Sequence, residues 1–146
     1  MKLVIGSDHA GFELKENIRS YLEQNGYEYT DIGVYTSESA DYPLQAQALC
    51  QKITSGECER GILCCGTGIG MSMAANKIDG IRAACCSDYF SAKYTRAHND
   101  ANVLCLGGRV VGAGLAEELV KVFIETEFEG GRHQRRVNLI HDLEKL

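Results

Sequence analysis

The sequence predicts an α/β protein: a three-layer α/β/α sandwich built on a five-stranded parallel sheet, with an additional C-terminal helix. Three observations carry this. Apolar runs of strand length alternate strictly with segments of helical period along the chain. The links between them are short, so successive strands are joined by helices that cross the sheet, which makes it parallel and covers both faces. Finally, Gly61-Ile62-Leu63-Cys64-Cys65 runs straight into Gly66-Thr67-Gly68-Ile69-Gly70 and then into helix-forming residues. That is a strand–turn–helix unit with its turn at the carboxyl end of the strand. The 146 residues fit one domain, 1–146, with a sizeable core. No repeat, low-complexity segment or domain boundary interrupts it.

Residues 2–7 form the first strand, apolar at Leu3, Val4 and Ile5, and lead into Ser7-Asp8-His9-Ala10-Gly11. A helix follows over 12–25, with Phe12, Leu14, Ile18, Tyr21 and Leu22 near helical period and Asn25-Gly26 as its stop. A short strand covers 27–31. A polar connection then reaches Pro43, well placed as the first residue of a helix that runs through Leu49 and Ile53 to Ser55-Gly56. The run from Gly61 is the third strand, and the helix after the glycine turn covers 71–77. Residues 81–86 form the fourth strand, Ser87 or Asp88 caps a helix reaching His98-Asn99, and 101–106 form the fifth strand, followed by Gly107-Gly108-Arg109. A fifth helix covers 112–125, with Leu115, Leu119, Val122 and Phe123 on one face. Glu129-Gly130-Gly131 breaks the chain before a final helix over 132–146. The layout is Rossmann-like, and ligands of such sheets bind at the carboxyl ends of the strands. This singles out Asp8 and His9, Cys65 to Gly70, Ser87 and Asp88, and Arg109.

Bulk properties exclude several functions. A net charge of −5, with no basic stripe before the C-terminal region, argues against broad nucleic-acid binding. No apolar run approaches the roughly 20 residues of a membrane span, and the N-terminus enters a strand directly and resembles no signal peptide. The seven cysteines are odd in number, and five lie in apolar strand-like runs, the pattern of buried reduced thiols in a cytoplasmic protein. No CxxC or HxxxH spacing is present, and neighbouring cysteines of a strand point to opposite faces. No metal site is therefore expected.

Each candidate has a plainer reading beside the functional one. Asp8-His9 is an acid–imidazole pair suited to proton handling or an anionic ligand, or a helix cap with an incidental histidine. Cys65 is a base or nucleophile whose thiolate the helix N-terminus favours, or a buried strand cysteine. Because side chains alternate along a strand, one of Cys64 and Cys65 faces the core. The glycine turn leaves N–H groups uncovered for an anion or a developing negative charge. Arg132 and Arg136, at i and i+4 with Arg135 beside them, suit a phosphate or form a solvated basic face. His98-Asn99 closes the fourth helix, where histidine is electrostatically favourable anyway. Gly66 to Asp88 imitates a dinucleotide fold, but its spacing is GxGxG rather than GxGxxG and the unit lies in mid-chain, a weak cofactor signal.

Taken together in their order, these motifs resemble the type B ribose-5-phosphate isomerases, which group with the bacterial galactose-6-phosphate and allose-6-phosphate isomerases. The resemblance spans essentially the whole chain. It rests on Ile5-Gly6-Ser7-Asp8-His9-Ala10-Gly11, Asp41-Tyr42-Pro43, Cys65-Gly66-Thr67-Gly68-Ile69-Gly70, His98-Asn99-Asp100-Ala101-Asn102-Val103, Leu106-Gly107-Gly108-Arg109, Arg132 and Arg136. Cys65 is similar to the branch with a thiol base; another branch places a glutamate where this chain has Met71.

The resemblance implies interconversion of ribose 5-phosphate and ribulose 5-phosphate through an enediolate, in the pentose phosphate pathway, with no cofactor and no metal. Allose 6-phosphate and galactose 6-phosphate are the alternative substrates. It implies that Cys65 is the base, that His98 opens the sugar ring with help from Thr67 and Asp8, and that Asn99 orients hydroxyls. The N–H groups of Gly66, Thr67, Gly68, Ile69 and Gly70 would receive the enediolate charge, and His9, Arg109, Arg132 and Arg136 the phosphate. Two rivals stand against it: a flavodoxin-like module binding a nucleotide or flavin phosphate without catalysis, and a NAD-dependent enzyme. The fourth helix starts at the carboxyl end of its strand and runs back for on the order of 16 Å, leaving His98 at the opposite end of the sheet from Cys65. If both serve one site, a homodimer with shared sites must supply them.

Overall fold

The computed structural model describes residues 1–146. Five strands, β1 (Lys2–Ser7), β2 (Glu28–Asp31), β3 (Arg60–Cys65), β4 (Ala83–Cys85) and β5 (Val103–Gly107), lie in the order β2-β1-β3-β5-β4. Every neighbouring pair is parallel. Six helices cover the sheet: α1 (Phe12–Gln24), α2 (Tyr42–Thr54), α3 (Ile69–Ala75), α4 (Tyr89–Asn99), α5 (Ala113–Glu125) and α6 (Arg132–Asp142). None is long and apolar enough to cross a membrane. This is the predicted α/β/α sandwich with its extra C-terminal helix.

The strands' period of two divides the interior into two cores. Leu3, Ile5, Ile62, Cys64, Leu104 and Leu106 point to one face, where Leu14, Ile18, Ala92, Leu119 and Phe123 from α1, α4 and α5 cover them. Val4, Leu63, Cys65, Val103 and Cys105 point to the other, under Ala46 and Leu49 of α2 and Met71 and Ala75 of α3.

Several boundaries differ from the sequence reading. Helix α3 begins at Ile69 rather than at residue 71, because Gly68 turns into the helix with φ +80° and its carbonyl already accepts the Ser72 N–H at 3.1 Å. Strand β4 is shorter than 81–86. It lies at the sheet edge and pairs with β5 over Ala83–Cys85 alone. The last helix stops at Asp142 and tightens into a 3-10 turn over Leu143–Lys145, where Glu144 accepts the Gly80 N–H at 2.8 Å.

The topology places the site. From β1 the chain crosses to β2 on one side, then returns past β1 to β3 on the other. Crossovers that diverge in this way open a crevice between the carboxyl ends of the two inner strands. Asp8 follows β1 and Cys65 ends β3, so both border that crevice. The two ends are tied one residue back, where the Asp8 N–H donates to the Cys64 carbonyl at 3.2 Å.

Behind the β1 end a buried cation orders the next loop. Lys15 has no exposed surface, and its Nζ lies 2.7 Å from Asp31 Oδ2. Asp31 Oδ1 accepts the Gly33 N–H at 2.9 Å, and the Gly33 carbonyl accepts the Ser7 N–H at 2.7 Å. The start of α1 is held equally tightly: a Cβ on Gly11 would fall 2.2 Å from the Cys64 carbonyl oxygen. Because that neighbour is backbone, Gly11→Ala forces the helix away from β3. The expected cost is about 1–3 kcal/mol, read by chemical denaturation. A variant as stable as the parent would show that the approach is not tight.

Candidate active site

At the carboxyl edge, the ends of β1, β3 and β5 build a cleft of about 430 Å³. Asp8, His9, Cys65, the glycine turn, Arg109 and Tyr42 line it. Asp8 is buried, and its Oδ1 caps the start of α1 by accepting the Gly11 N–H at 3.0 Å. His9 is exposed, and its Nδ1 accepts the Ala40 N–H at 3.2 Å. In the neutral ring the proton therefore sits on Nε2.

Alternation separates the two adjacent thiols. Cys64 is wholly enclosed in the α1/α5 core, and burial, with Cys65 next to it, pushes its thiol far above the ordinary value. Cys105 is driven up in the same way. Cys65 points to the opposite face and lines the cleft, where its Sγ accepts the Gly68 N–H at 3.1 Å. That contact needs the left-handed conformation of Gly68, at φ +80°. A Cβ there would also meet the Leu106 carbonyl carbon at 3.0 Å.

The loop after β5 clamps the turn. The Gly108 N–H donates to the Cys65 carbonyl at 2.8 Å and the Arg109 N–H to the Gly66 carbonyl at 3.0 Å. Arg109 Nη1 lies 3.5 Å from where a Cβ on Gly66 would stand, so the guanidinium covers that glycine. The expectation that every N–H of the turn is open needs correcting. The Gly68 N–H is directed at the Cys65 sulfur, and the Ile69 N–H donates to Thr67 Oγ1 at 3.2 Å. Those of Gly66, Thr67 and Gly70 have no hydrogen-bond partner in the chain. In a turn this tight, the Cys65 and Thr67 side chains reach back to take up two of its N–H groups.

His98, Asn99, Arg132 and Arg136 are not brought to this cleft. The Asn99 and Asp100 carbonyls accept from Arg82 Nε at 3.1 and 3.0 Å, and Arg82 precedes β4. This end of α4 is therefore at the amino edge of the sheet. There His98 stacks on His133 with ring centroids 4.1 Å apart and planes 9° from parallel, and its Nε2 lies 3.5 Å from Glu129 Oε1. Arg132 and Arg136 are exposed on the same first turns of α6. Each chain thus carries two clusters on opposite edges. Of Ser87 and Asp88, the sequence left the cap open; Asp88 takes it, accepting the Ser91 N–H at 2.8 Å.

Two residues that the sequence reading gave no role stand out in the structure. Tyr42 lies against Gly70, 2.8 Å from where a Cβ would stand there, and joins the cleft wall. It belongs to the Asp41-Tyr42-Pro43 motif, but that motif alone assigns it no role. His133 was hidden because 35 positions separate it from His98, a distance no short motif spans.

Comparison with known proteins decides the family. The model described as Ribose/Galactose Isomerase matches residues 3–140. This chain belongs to the ribose/galactose isomerase family. The isomerase is 47% identical over 144 residues to ribose-5-phosphate isomerase B of Escherichia coli, covering 99% of this chain and 97% of that one. It is 45% identical over 141 residues to the D-erythrulose-4-phosphate isomerase of Pectobacterium atrosepticum, covering 96% and 93%. The solved ribose-5-phosphate isomerase B of Clostridium thermocellum superposes with a TM-score of 0.98 at 50% identity, covering 99% and 98%. Family membership removes the non-catalytic flavodoxin-like reading and the NAD-dependent one.

The thiol geometry predicts a labelling pattern. Brief treatment of the native isomerase with iodoacetamide, followed by peptide mass spectrometry, is expected to modify Cys65 and the exposed Cys85 while sparing Cys64 and Cys105. Early labelling of Cys64 would contradict its enclosure in the α1/α5 core.

Proposed function

We propose that this isomerase interconverts ribose 5-phosphate and ribulose 5-phosphate, with Cys65 as the base. The observation that supports this most is the seating of the Cys65 sulfur. It lines the cleft beside Asp8 at the sheet's switch point, within one turn of three unused backbone N–H donors. Aldose–ketose isomerisation needs that pairing. A base takes the proton from C2 of the open-chain sugar, and the electron pair moves onto the carbonyl oxygen to give an enediolate. The same group then returns the proton at C1. The N–H groups of Gly66, Thr67 and Gly70 receive the charge on oxygen as it develops, and preorganised donors of that kind are commonly the largest catalytic term. Asp8 and Thr67, at the cleft, handle the hydroxyl protons. His9 and Arg109 meet the phosphate from this side.

The remaining roles need a second copy. His98 for ring opening, Asn99 for the hydroxyls, and Arg132 and Arg136 for the phosphate sit on the amino edge of their own chain, so in a two-fold dimer the partner's His98, Asn99, Arg132 and Arg136 complete the cleft. Exposed Phe90 and Tyr89 at the start of α4, and Ile69 and Met73 on α3, supply apolar surface for such an interface. Sugar length is the least constrained part. The Pectobacterium relative, at 45% identity, carries the name of a four-carbon sugar-phosphate isomerase, and one CHOH more or less in a polar site changes few contacts.

A coupled assay with no added cofactor tests the proposal on ribose 5-phosphate, allose 6-phosphate and galactose 6-phosphate. Ribose 5-phosphate is expected to turn over fastest, with a rate that survives EDTA. Cys65→Ala is expected to lose about 10²- to 10⁴-fold in kcat while still binding the sugar phosphate. Cys64→Ala should lower stability and keep turnover. An active Cys65→Ala beside an inactive, folded Cys64→Ala would reverse the assignment, and preference for a six-carbon substrate would replace the substrate.

A further inference from the structure

Outside the carboxyl-edge cleft, the cluster with the most distinctive chemistry is His98, Glu129 and His133. We propose that these three side chains form a binding site for a divalent transition-metal ion, and that occupancy inhibits the isomerase.

The three come from different segments yet offer ligand atoms that all lie within 4.8 Å of one another. His98 is in the last turn of α4 and His133 in the first turn of α6. Glu129 lies between them and is pinned to α4, since its N–H donates to the Ala97 carbonyl at 3.0 Å. The His133 N–H donates to the Gly130 carbonyl at 3.0 Å, which folds the connection back on itself. Two imidazoles and one carboxylate are a familiar three-ligand set that leaves a further coordination position open. Ligands at bond lengths near 2.1 Å sit about 3.0–3.4 Å apart around one ion. The His98 Nε2 to Glu129 Oε1 separation of 3.5 Å is already close to that. The parallel stack of the two rings has to open, and His133 is free to tilt because its ring makes no hydrogen bond in the chain.

The surroundings select the kind of ion. Arg132 and Arg136 flank the cluster and oppose any cation held by charge alone. Imidazole ligands bind nickel, copper and zinc by coordination and leave magnesium and calcium to oxygen sites. The inhibitory part rests on the proposed function. An ion on His98 Nε2 ties up the imidazole assigned to ring opening and places a cation in the partner's substrate cleft.

Nickel titrated into the full-length isomerase by calorimetry tests this. Imidazole binds it well, and the chain has only four histidines. The expected result is one ion per chain in the wild type and in His141→Ala. His133→Ala should weaken binding by at least the roughly 10- to 100-fold that an outer-shell partner costs, with weaker binding in Glu129→Gln as well. Magnesium is expected to give no heat of binding. Nickel should inhibit wild-type turnover reversibly with EDTA and leave His133→Ala, which retains its basal activity, far less affected. Unchanged nickel affinity in His133→Ala would overturn the site. Equal inhibition of wild type and His133→Ala would overturn the inhibitory role. Nickel held at the three ligands with turnover intact would instead count against a part for His98 in the reaction.

Discussion

Parallel pairing is the constraint on which the rest of this structure depends. When all five strands run the same way, each helix leaving the carboxyl edge must return to the amino edge before the next strand begins. The chain therefore delivers its chemistry at two edges. Ser7, Cys65 and Gly107 end strands β1, β3 and β5, so Asp8, the glycine turn and Arg109 gather at one edge. Helix α4 carries His98 away from that edge over its 11 residues, about 16 Å. The Arg82 hydrogen bonds to the Asn99 and Asp100 carbonyls fix where it arrives. No rotamer change spans that separation.

Within the carboxyl edge, a one-residue step decides the chemistry. Cys64 and Cys65 are covalent neighbours of the same residue type, and the strand pleat sends them to opposite cores. Cys64 contributes packing and is kept protonated by burial. Cys65 emerges where β3 runs out, and Gly68 bends the backbone so that an N–H points at its sulfur. The β5 loop then ties the turn from outside through Gly108 and Arg109. One backbone N–H thus holds the thiol and two more hold the turn that carries it, a preorganised setting of the kind acid–base chemistry uses.

Much of this was legible in the sequence because it follows from local rules. The strands and helices, the alternation at Cys64-Cys65 and the carboxyl-end cluster come from periodicity and the position of turns. The family was legible from several motifs in a fixed order. What stayed hidden depends on long-range pairing. The strand order, and with it the switch point between β1 and β3, is set by which edges hydrogen-bond, and no single segment encodes it. The shortening of β4 follows from its edge position. The division of N–H groups within the glycine turn depends on where α3 starts, two residues earlier than the helix-forming run indicates. The approach of His133 to His98 comes from the return of α6 over α4, which only the packed chain reveals.

We propose that two edges from two chains make one active site. This is tested most directly by mixing Cys65→Ala with His98→Ala, each inactive alone, through dissociation and reassociation. A mixed dimer has one intact site and one carrying both substitutions. With random pairing half of the dimers are mixed, so activity is predicted to recover to about a quarter of wild type. No recovery, with subunit exchange proven by mass spectrometry, would place Cys65 and His98 of the same chain in one site and contradict the account.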